Sequence, residues 1–175
     1  IIVSKCPYRI SLLGGSSDLD WFVKRYGRGM SIGFSISAYS TLFLKSRNLG
    51  SRGILNYSSR EEYLDVETIS HPIIRECLSK YKINNPIELA SFGDDISGAG
   101  LGSSSSFTVA LLNGLNSLLD IKESNYELAK IASEIEIKNL KNPIGRQDQF
   151  LCSLGGVNIL NFKPDGNVEI LKEKN

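Results

Sequence analysis

The chain has 175 residues, of which 41% are hydrophobic, and this is enough apolar material for one domain with a well-packed core. Lys and Arg number 20 against 19 Asp and Glu, so the charge gives no reason to expect a nucleic acid or an anionic membrane as a partner. No apolar run is long enough to span a bilayer.

The cysteines Cys6, Cys77 and Cys152 are widely spaced, which is typical of reduced thiols in a cytoplasmic protein and not of a disulfide framework or a zinc site. The single histidine, His71, precedes Pro72 at a predicted helix start, and we expect it to be structural.

The first third of the chain is rich in β-branched residues and alternates between apolar and polar positions, a pattern that predicts mainly β-strands. Pro7 interrupts the first such segment, and because proline cannot donate a ladder hydrogen bond we expect a bulge or an edge there. The predicted elements are one or two strands over 1–13, a glycine-rich loop over 14–20, a short helix over 21–26, a long strand or strand pair over 30–46, a strand over 54–57 and a turn over 58–62.

The remainder is predominantly helical and ends in a hairpin. Pro72 opens an amphipathic segment, and Ser124 with Glu127 forms a capping-box pair at the start of another. The predicted elements are a helix from 72, a strand over 87–92, a helix over 104–119, a helix from 124 to about 140, a loop with a short helix over 144–153, and strands over 157–162 and from 168. This order suits an α+β sandwich better than alternating βαβ units.

Residues 97–106 combine three glycines, which alternate with small residues, with four serines directly before an apolar helical run. Glycines let the backbone take φ > 0 and let a ligand approach the main chain closely. The first N–H groups of a helix lack intrahelical partners and lie at the positive end of its dipole. The pattern therefore predicts an anion site, most often for phosphate.

Other phosphate loops fit this stretch less well. A Walker A loop needs Lys-Ser or Lys-Thr after its last glycine, and none is present. A dinucleotide fingerprint needs a buried strand directly before Gly98, where polar residues 93–95 intervene, and the acidic candidate Asp120 ends a helix and not a strand. A serine-rich linker that caps a core helix is the structural alternative, although the strongly periodic segments on both sides disfavour it.

The run Gly98-Ala99-Gly100-Leu101-Gly102-Ser103-Ser104-Ser105 resembles the phosphate-binding motif of the GHMP kinases, a family that includes galactokinase, homoserine kinase, mevalonate kinase and phosphomevalonate kinase. The resemblance covers nearly all of the chain. It implies that residues 1–175 form a GHMP kinase N-terminal domain, an α+β two-layer sandwich with a ribosomal-protein-like β-α-β core. It also implies that ATP and Mg²⁺ are bound. The implied ATP-binding residues are Gly98, Ala99, Gly100, Leu101, Gly102, Ser103, Ser104 and Ser105.

The segment from Pro7 to Leu19 resembles the first motif of this family, a strand that leads into a sugar-contacting loop. Its Gly-Gly-Ser-Ser-Asp ending is close to the Gly-Gly-Gly-Thr-Asp of the heptose 7-phosphate kinase and fucokinase branch, and unlike the Gly-Glu-His-Thr-Asp of galactokinase. Arg9 can pair with the transferred phosphate or with the catalytic carboxylate. Alone, Arg9 as a surface ion pair and Asp18 as a turn cap are the simpler interpretations. The substrate-binding residues that the resemblance implies in this loop are Gly14, Gly15, Ser16 and Asp18, with Asp18 accepting hydrogen bonds from sugar hydroxyls.

The segment Gly145-Arg146-Gln147-Asp148-Gln149 resembles the Gly-Lys-Gln-Asp-Gln of the heptose kinase branch. In the family this aspartate faces the acceptor hydroxyl, so the resemblance implies that Asp148 is catalytic together with Arg9, and that Gln147 binds substrate. A carboxylate within hydrogen-bond reach of the hydroxyl can orient it and accept its proton. A helix N-cap is the alternative role for Asp148.

The resemblance also implies a Mg²⁺ site formed by Ser104 and Glu136. Glu136 lies twelve residues before Asp148, which matches the metal-binding glutamate of the family. One carboxylate, one hydroxyl, phosphate oxygens and water suit the octahedral preference of Mg²⁺. Glu134 is the competitor, and because residues two apart on a helix differ by about 200° in direction, only one of the two can face the site.

GHMP kinases carry a third glycine-rich motif in a C-terminal domain, and nothing after Gly156 matches it. We therefore expect that the C-terminal domain is absent from this chain and that the chain alone is folded but poorly active. The expected function is an ATP- and Mg²⁺-dependent kinase that phosphorylates an anomeric hydroxyl of a small-molecule sugar or sugar phosphate, with D-glycero-D-manno-heptose 7-phosphate as the first candidate. Fucokinase or another small-molecule kinase of the family is the alternative within the class. A sugar- or nucleotide-binding sensor without turnover is the alternative of another class, which Asp148 and Glu136 disfavour.

Overall fold

The computed structural model describes residues 1–83, 85–94 and 100–171. Within these ranges the strands are β1 (Ile2–Leu13), β2 (Gly29–Ser46), β3 (Gly53–Asn56), β4 (Arg60–Tyr63), β5 (Ile87–Gly93), β6 (Val157–Phe162) and β7 (Val168–Leu171). The helices are α1 (Asp20–Tyr26), α2 (Pro72–Lys80), α3 (Ser103–Leu119), α4 (Asn125–Ser133) and α5 (Gln147–Leu154), with a 3₁₀ turn at Val66–Thr68 and a π-helical turn at Glu134–Asn139.

Strand β2 is the element to which the rest of the sheet attaches. β1 runs antiparallel along one edge of β2, and β5 and β6 share the other edge, beside residues 40–46 and 29–34 respectively. β3 adds to β5 in parallel and β4 pairs with β3, while β7 pairs with β6. The predicted long strand over 30–46 is therefore one continuous strand that carries two branches of the sheet.

The helices cover one face of this sheet, which gives the two layers that the sequence predicts. The larger core cluster lies between α2, α3 and the half of the sheet formed by β3, β5 and the end of β2, and a smaller cluster lies between α5, β6 and β7. On the opposite face Val3, Lys5 and Phe92 are exposed. In the described part of the chain, no helix combines the length and the hydropathy that a transmembrane span requires.

Small residues let the helices approach the sheet closely. A Cβ atom on Gly33 would lie 2.5 Å from Cδ1 of Leu151 in α5, and one on Gly114 of α3 would lie 2.6 Å from Cδ1 of Leu44. The inward positions at the start of β2 are accordingly glycine and serine, whereas the larger Ile32 and Phe34 are only half-buried. The alternation that predicts this strand is real, but the apolar residues here do not mark its helix-facing side.

Two predictions about the β-region have different outcomes. The bulge near Pro7 is confirmed, because the register between β1 and β2 shifts between Pro7 and Arg9. The turn over 58–62 is wrong in part, since β4 begins at Arg60 and pairs with β3. The ring of Tyr63 fills the space over Gly53, and its hydroxyl accepts a hydrogen bond from the N–H of Ile87 at 3.1 Å. One buried aromatic thus fixes a polar edge strand that has no alternating pattern of its own.

Candidate active site

The predicted phosphate loop leads directly into the first turn of α3. Gly100 and Gly102 take φ values of +70° and +72°, which favour glycine, while Gly98 and Ala99 lie outside the described residues. Gly102 is the residue before the helix and has no side chain with which to cap the N–H groups of the first turn. The N–H groups of a helix start behind a glycine turn form the arrangement that binds phosphate oxygens.

Arg9 joins this loop to α5. Its Nε donates to Asp148 Oδ1 at 2.8 Å and its Nη2 to Oδ2 at 2.5 Å, a two-pronged ion pair, while Nη1 donates to the carbonyl of Gly100 at 2.6 Å. The backbone N–H of Arg9 also donates to the carbonyl of Leu101 at 3.0 Å. Arg9 is buried, whereas the Asp148 side chain keeps 24% of its surface exposed. The structure thus brings together the two residues that the sequence predicts as catalytic.

A cleft opens between the end of β1 and the phosphate loop. Its walls include Arg9, Ser11, Gly14, Gly15 and Gln147, together with the exposed side chains of Leu12 and Leu13. Ser11 donates through its hydroxyl to Gln147 Oε1 at 2.9 Å, which orients the Gln147 amide. Six of the predicted site residues therefore line one cavity: Arg9, Gly14, Gly15, Gly100, Leu101 and Gln147.

The glycine-rich loop over residues 14–20 is held against β2 by close packing and hydrogen bonds. Gly14 has φ +87°, and a Cβ atom there would lie 1.9 Å from the carbonyl oxygen of Met30. The Ser17 hydroxyl accepts a hydrogen bond from the N–H of Met30 at 3.1 Å and donates to the Met30 carbonyl at 2.6 Å. Ser16 is exposed with φ +67°.

Asp18 is buried against the start of α5. The residue is 2% exposed, and its Oδ2 accepts a hydrogen bond from the backbone N–H of Gln147 at 2.9 Å. Burial raises the pKa of the Asp18 carboxyl, partly offset by that hydrogen bond. The contact of Asp18 with sugar hydroxyls stays a prediction, and the contact that the structure shows is the one with the Gln147 N–H.

Glu136 is fully buried behind the phosphate loop. Its Oε1 accepts a hydrogen bond from Thr108 Oγ1 at 2.5 Å, and its Oε2 accepts one from Ser105 Oγ at 2.9 Å and one from Gln149 Nε2 at 2.8 Å. Burial raises the pKa of the Glu136 carboxyl, while these three hydrogen bonds act in the opposite direction. The site therefore links α3, the π-helical turn and α5 through one carboxylate.

The serine that contacts Glu136 directly is Ser105 and not Ser104. Ser104 is exposed at the start of α3 and lines a separate pocket. Adjacent residues on a helix point about 100° apart, so a motif that fixes the loop does not by itself fix which serine faces inward. The expectation that Ser104 and Glu136 both ligate Mg²⁺ stays a prediction.

The donor set around Glu136 fits a divalent cation by charge. A carboxylate offers about four acceptor sites, and three are used here, which leaves one on Oε1. Among the described residues no cationic side chain pairs with Glu136, whereas the positive charge of Arg9 is paired with Asp148. Glu136 thus offers a divalent cation one oxygen ligand, and because the described residues contain no group of three His, Cys, Asp or Glu side chains that could hold a metal ion, phosphate oxygens and water would have to complete the octahedron that Mg²⁺ prefers.

The π-helical turn explains why Glu136 and not Glu134 faces inward. Ile135 and Glu136 are consecutive and both buried, because the wider turn, closed by the bond from the N–H of Leu140 to the carbonyl of Ile135 at 3.0 Å, places both against the core. Glu134 is exposed and accepts a hydrogen bond from Lys138 at 3.3 Å. The expectation that only one of the two glutamates can face the interior holds.

An aromatic pocket on the far side of the phosphate loop escaped sequence analysis. His71 lies between the rings of Tyr57 and Phe107, with centroid distances of 4.8 and 5.3 Å, and the pocket reaches Ser103 and Ser104. Its aromatic residues come from three separate segments, so no single motif marks them. Phe107 lies one turn after Ser103 on α3, and this spacing was the one sequence feature that could have indicated an aromatic side chain near the phosphate loop.

His71 itself has the structural role expected from its place before Pro72. It is the residue before α2, and its Nδ1 accepts a hydrogen bond from the N–H of Ile74 at 3.4 Å. Burial lowers the pKa of the His71 imidazole, and the negative charge of Glu61 opposes that effect.

Comparison with known proteins agrees with this geometry. Residues 69–156 match the family described as GHMP kinases N terminal domain. The chain is 29% identical over 177 residues to the D-glycero-alpha-D-manno-heptose 7-phosphate kinase of Campylobacter jejuni, an alignment that covers 92% of this chain and 50% of that protein. A crystal structure of a D-glycero-D-manno-heptose 1-phosphate kinase from Bacteroides thetaiotaomicron superposes with a TM-score of 0.87 at 26% identity, covering 99% of this chain and 61% of that one. The galactokinase of Lactococcus lactis superposes with a TM-score of 0.75 at 22% identity, covering 98% of this chain and 47% of that one. The chain thus spans about half the length of the curated relative it matches.

Proposed function

The chain belongs to the GHMP kinases, and we propose that it carries the phosphate loop and the catalytic pair of an ATP-dependent sugar kinase whose acceptor is an anomeric hydroxyl of a heptose phosphate. The observation that carries this proposal is the two-pronged Arg9–Asp148 pair beside the glycine turn at the start of α3. The heptose kinases at 26–29% identity support the choice of acceptor.

In this proposal the phosphates and the base of the nucleotide lie on opposite sides of the phosphate loop. The N–H groups at the start of α3 bind the phosphate oxygens, and the pocket of Tyr57, His71 and Phe107 takes the base, because aromatic rings stack well on a purine. Glu136 would contribute a carboxylate ligand to a bound Mg²⁺, and such an ion would neutralise charge on the phosphates. The nucleoside and phosphate subsites then share one helix terminus.

The acceptor sugar occupies the cleft beside Gln147. Asp148 hydrogen-bonds the acceptor hydroxyl, orients it toward the phosphate and accepts its proton as the oxygen attacks. Arg9 keeps the Asp148 carboxylate directed toward the loop and supplies a fixed positive charge where the phosphoryl group passes. Both residues act on the acceptor side, while the loop acts on the donor side.

The full-length protein tests the reaction directly. ADP release is measured with ATP, Mg²⁺ and, in separate assays, D-glycero-D-manno-heptose 7-phosphate, fucose, galactose and mevalonate, and ³¹P spectra locate the new phosphate. We expect turnover with the heptose phosphate and a new signal at the anomeric position. Turnover only with fucose moves the assignment within the family, and nucleotide binding without turnover on any acceptor favours a sensor.

Gly102→Val tests the phosphate loop. The valine backbone would have to adopt φ +72°, and its Cβ would lie 3.1 Å from Arg9 Cγ. We therefore expect the variant to lose ATP binding while the protein remains folded. Gly50→Val is the matched control, because Gly50 has φ +80° with open space around it, far along the chain from the loop. Equal ATP affinity in Gly102→Val and the control would contradict the assignment of the loop.

A further inference from the structure

We propose that Asp18 is a positioning residue, which anchors the start of α5 and thereby sets the place of Asp148. The anchoring follows from hydrogen bonding and packing alone. Its effect on catalysis rests on the function proposed above.

Helix α5 has no local cap on its first turn. Arg146, the residue before the helix, makes no capping hydrogen bond with its side chain. The N–H of Gln147, the first helical residue, is instead bound by Asp18 Oδ2 at 2.9 Å, from a loop far away in the sequence. A carboxylate at a helix N-terminus satisfies a free donor and interacts favourably with the helix dipole. Asp148 is the next residue, so the anchor acts one peptide unit from the catalytic carboxylate.

Gly145 shows that the chain makes room for this carboxylate. A Cβ atom on Gly145 would lie 1.9 Å from Asp18 Oδ2 and 2.1 Å from Cγ, so any side chain there would displace Asp18. The carboxylate thus occupies the volume that a side chain at 145 would fill. The close fit connects the Gly-x-Gln-Asp pattern, which the sequence alone explained only by resemblance, to a packing requirement.

The loop that carries Asp18 is itself immobilised. Ser17 bonds both backbone groups of Met30, and a Cβ atom on Gly29 would lie 1.8 Å from the carbonyl oxygen of Ser17. A second link lies beside the first, where Arg146 Nη2 contacts Asp20 Oδ1 at 2.6 Å. The start of α5 is therefore held to β2 through residues 17–20, on two sides.

The cleft wall is formed by other residues. Asp18 is 2% exposed, while Ser11, Gly14, Gly15 and Gln147 line the cavity. The Gln147 N–H uses one of about four acceptor positions of the Asp18 carboxylate, so the anchor is separated from a sugar contact by the variants below and not by geometry.

Asp18→Asn and Asp18→Ala separate the two roles in the full-length protein. In Asp18→Asn the amide oxygen still accepts a hydrogen bond from the Gln147 N–H, so we expect kcat to stay within several-fold of the wild type. In Asp18→Ala the anchor is removed. Because a displacement of about 1 Å can cost about 10²-fold in rate, we expect kcat of this variant to fall by roughly that factor. The KM for the sugar is expected to change little in both. A raised sugar KM in both variants with near-normal kcat would overturn the proposal and restore the sugar contact. Asp65→Ala is the matched control, since Asp65 caps a remote turn by accepting the N–H of Glu67 at 3.1 Å.

Gly145→Ala approaches the same contact from the other side and serves if Asp18→Ala does not fold. We expect it to lower kcat as Asp18→Ala does, and the double variant to be no worse than Asp18→Ala, because the vacated space accepts the new methyl group. Fully additive losses would contradict the contact.

Amide hydrogen exchange tests the anchor without any turnover. Exchange at residues 147–149 is expected to accelerate in Asp18→Ala and not in Asp18→Asn. If the exchange behaves so but no sugar is phosphorylated, the anchor stands and the proposed function falls. If exchange is unchanged in Asp18→Ala, the anchor falls whatever the activity.

Discussion

Arg9 is the residue on which the site depends, because it contacts both the phosphate loop and Asp148. A buried arginine whose three side-chain nitrogens all donate to neighbours holds two segments of chain in a fixed relation. Removing either partner would leave the other charge buried and unpaired, which is costly.

Asp148→Asn tests the catalytic carboxylate. The substitution keeps the shape and removes both the negative charge and the basicity, and a positioned base contributes about 10²–10⁴-fold, so we expect kcat to fall by about that factor. The KM for ATP is expected to change little, because the nucleotide contacts the start of α3. Steady-state kinetics of the full-length protein check this, with the exposed turn residue Asp165→Asn as control. A kcat near that of the control would reduce Asp148 to a helix-terminal residue.

Glu136→Gln and Glu134→Gln test the metal ligand. Glu136 faces the phosphate loop from the interior, while Glu134 is exposed and pairs with Lys138. We expect the Mg²⁺ concentration for half-maximal activity to rise in Glu136→Gln and to stay unchanged in Glu134→Gln. Titration of Mg²⁺ at fixed ATP decides between them, and the opposite pattern would assign the metal to Glu134.

For single residues, the sequence predicts which side chains lie near the site better than it predicts the direction in which each one points. Arg9 and Asp148 were both predicted as catalytic, and they meet. The direct contacts of Ser105 with Glu136 and of Asp18 with Gln147 were not predicted, because a spacing specifies a loop but not which side chain turns toward the core. That direction depends on helical phase and on backbone bonds such as the one from Gln147 to Asp18, which no local pattern contains.

Among the elements, α2 depends on His71 for its N-terminus. Burial lowers the pKa of His71 below its ordinary value of 6.5, so the unfolded chain binds a proton more readily than the folded one. The free energy of unfolding is therefore expected to fall as the pH drops from 6.5 through the lowered value of the folded state.

His71→Asn isolates this contribution, since asparagine caps a helix well and does not titrate. Urea unfolding at pH 7.5, 6.5 and 5.5 measures it, and because His71 is the single histidine, a loss of stability in the wild type relative to the variant is assigned to it. Parallel pH curves for the two proteins would show that His71 does not contribute.

Element boundaries were predictable where local chemistry marks them. The Ser124 and Glu127 capping box is formed, with the Glu127 N–H donating to the Ser124 hydroxyl at 3.3 Å. The change from α4 to the π-helical turn was not predicted, because it has no breaker residue and depends on packing of Ile135 and Glu136 into the core. β4 was missed for a similar reason, since Tyr63 acts through a contact with Gly53.

For the whole molecule, β2 and the helical layer connect two core clusters. β2 pairs with β5 in the larger cluster and with β6 in the smaller one, so neither half of the sheet is complete without it. The α+β class was predictable from the order of elements, whereas the branching of the sheet was not, because strand periodicity carries no information on partners.

We therefore expect the 175-residue chain to unfold in a single cooperative transition. Trp21, the single tryptophan, is 59% exposed and its ring packs edge-on against Phe22, so its fluorescence reports the integrity of α1, the helix that contributes Val23 to the smaller cluster, whereas far-UV circular dichroism reports the whole chain. The two signals are expected to give the same midpoint in urea. Separate midpoints would show that the clusters unfold independently.

The π-helical turn Glu134–Asn139 holds one residue more than an α-helix of the same length, and it forms part of the twelve-position interval between Glu136 and Asp148. A homologue that closed this turn as an α-helix, with both carboxylates in the same places, would need one residue fewer between them. An alignment of the two must open a gap inside a helix, where gaps are normally avoided, and a search pattern with a fixed interval will reject a true relative. A pattern for this pair of carboxylates should therefore allow both intervals.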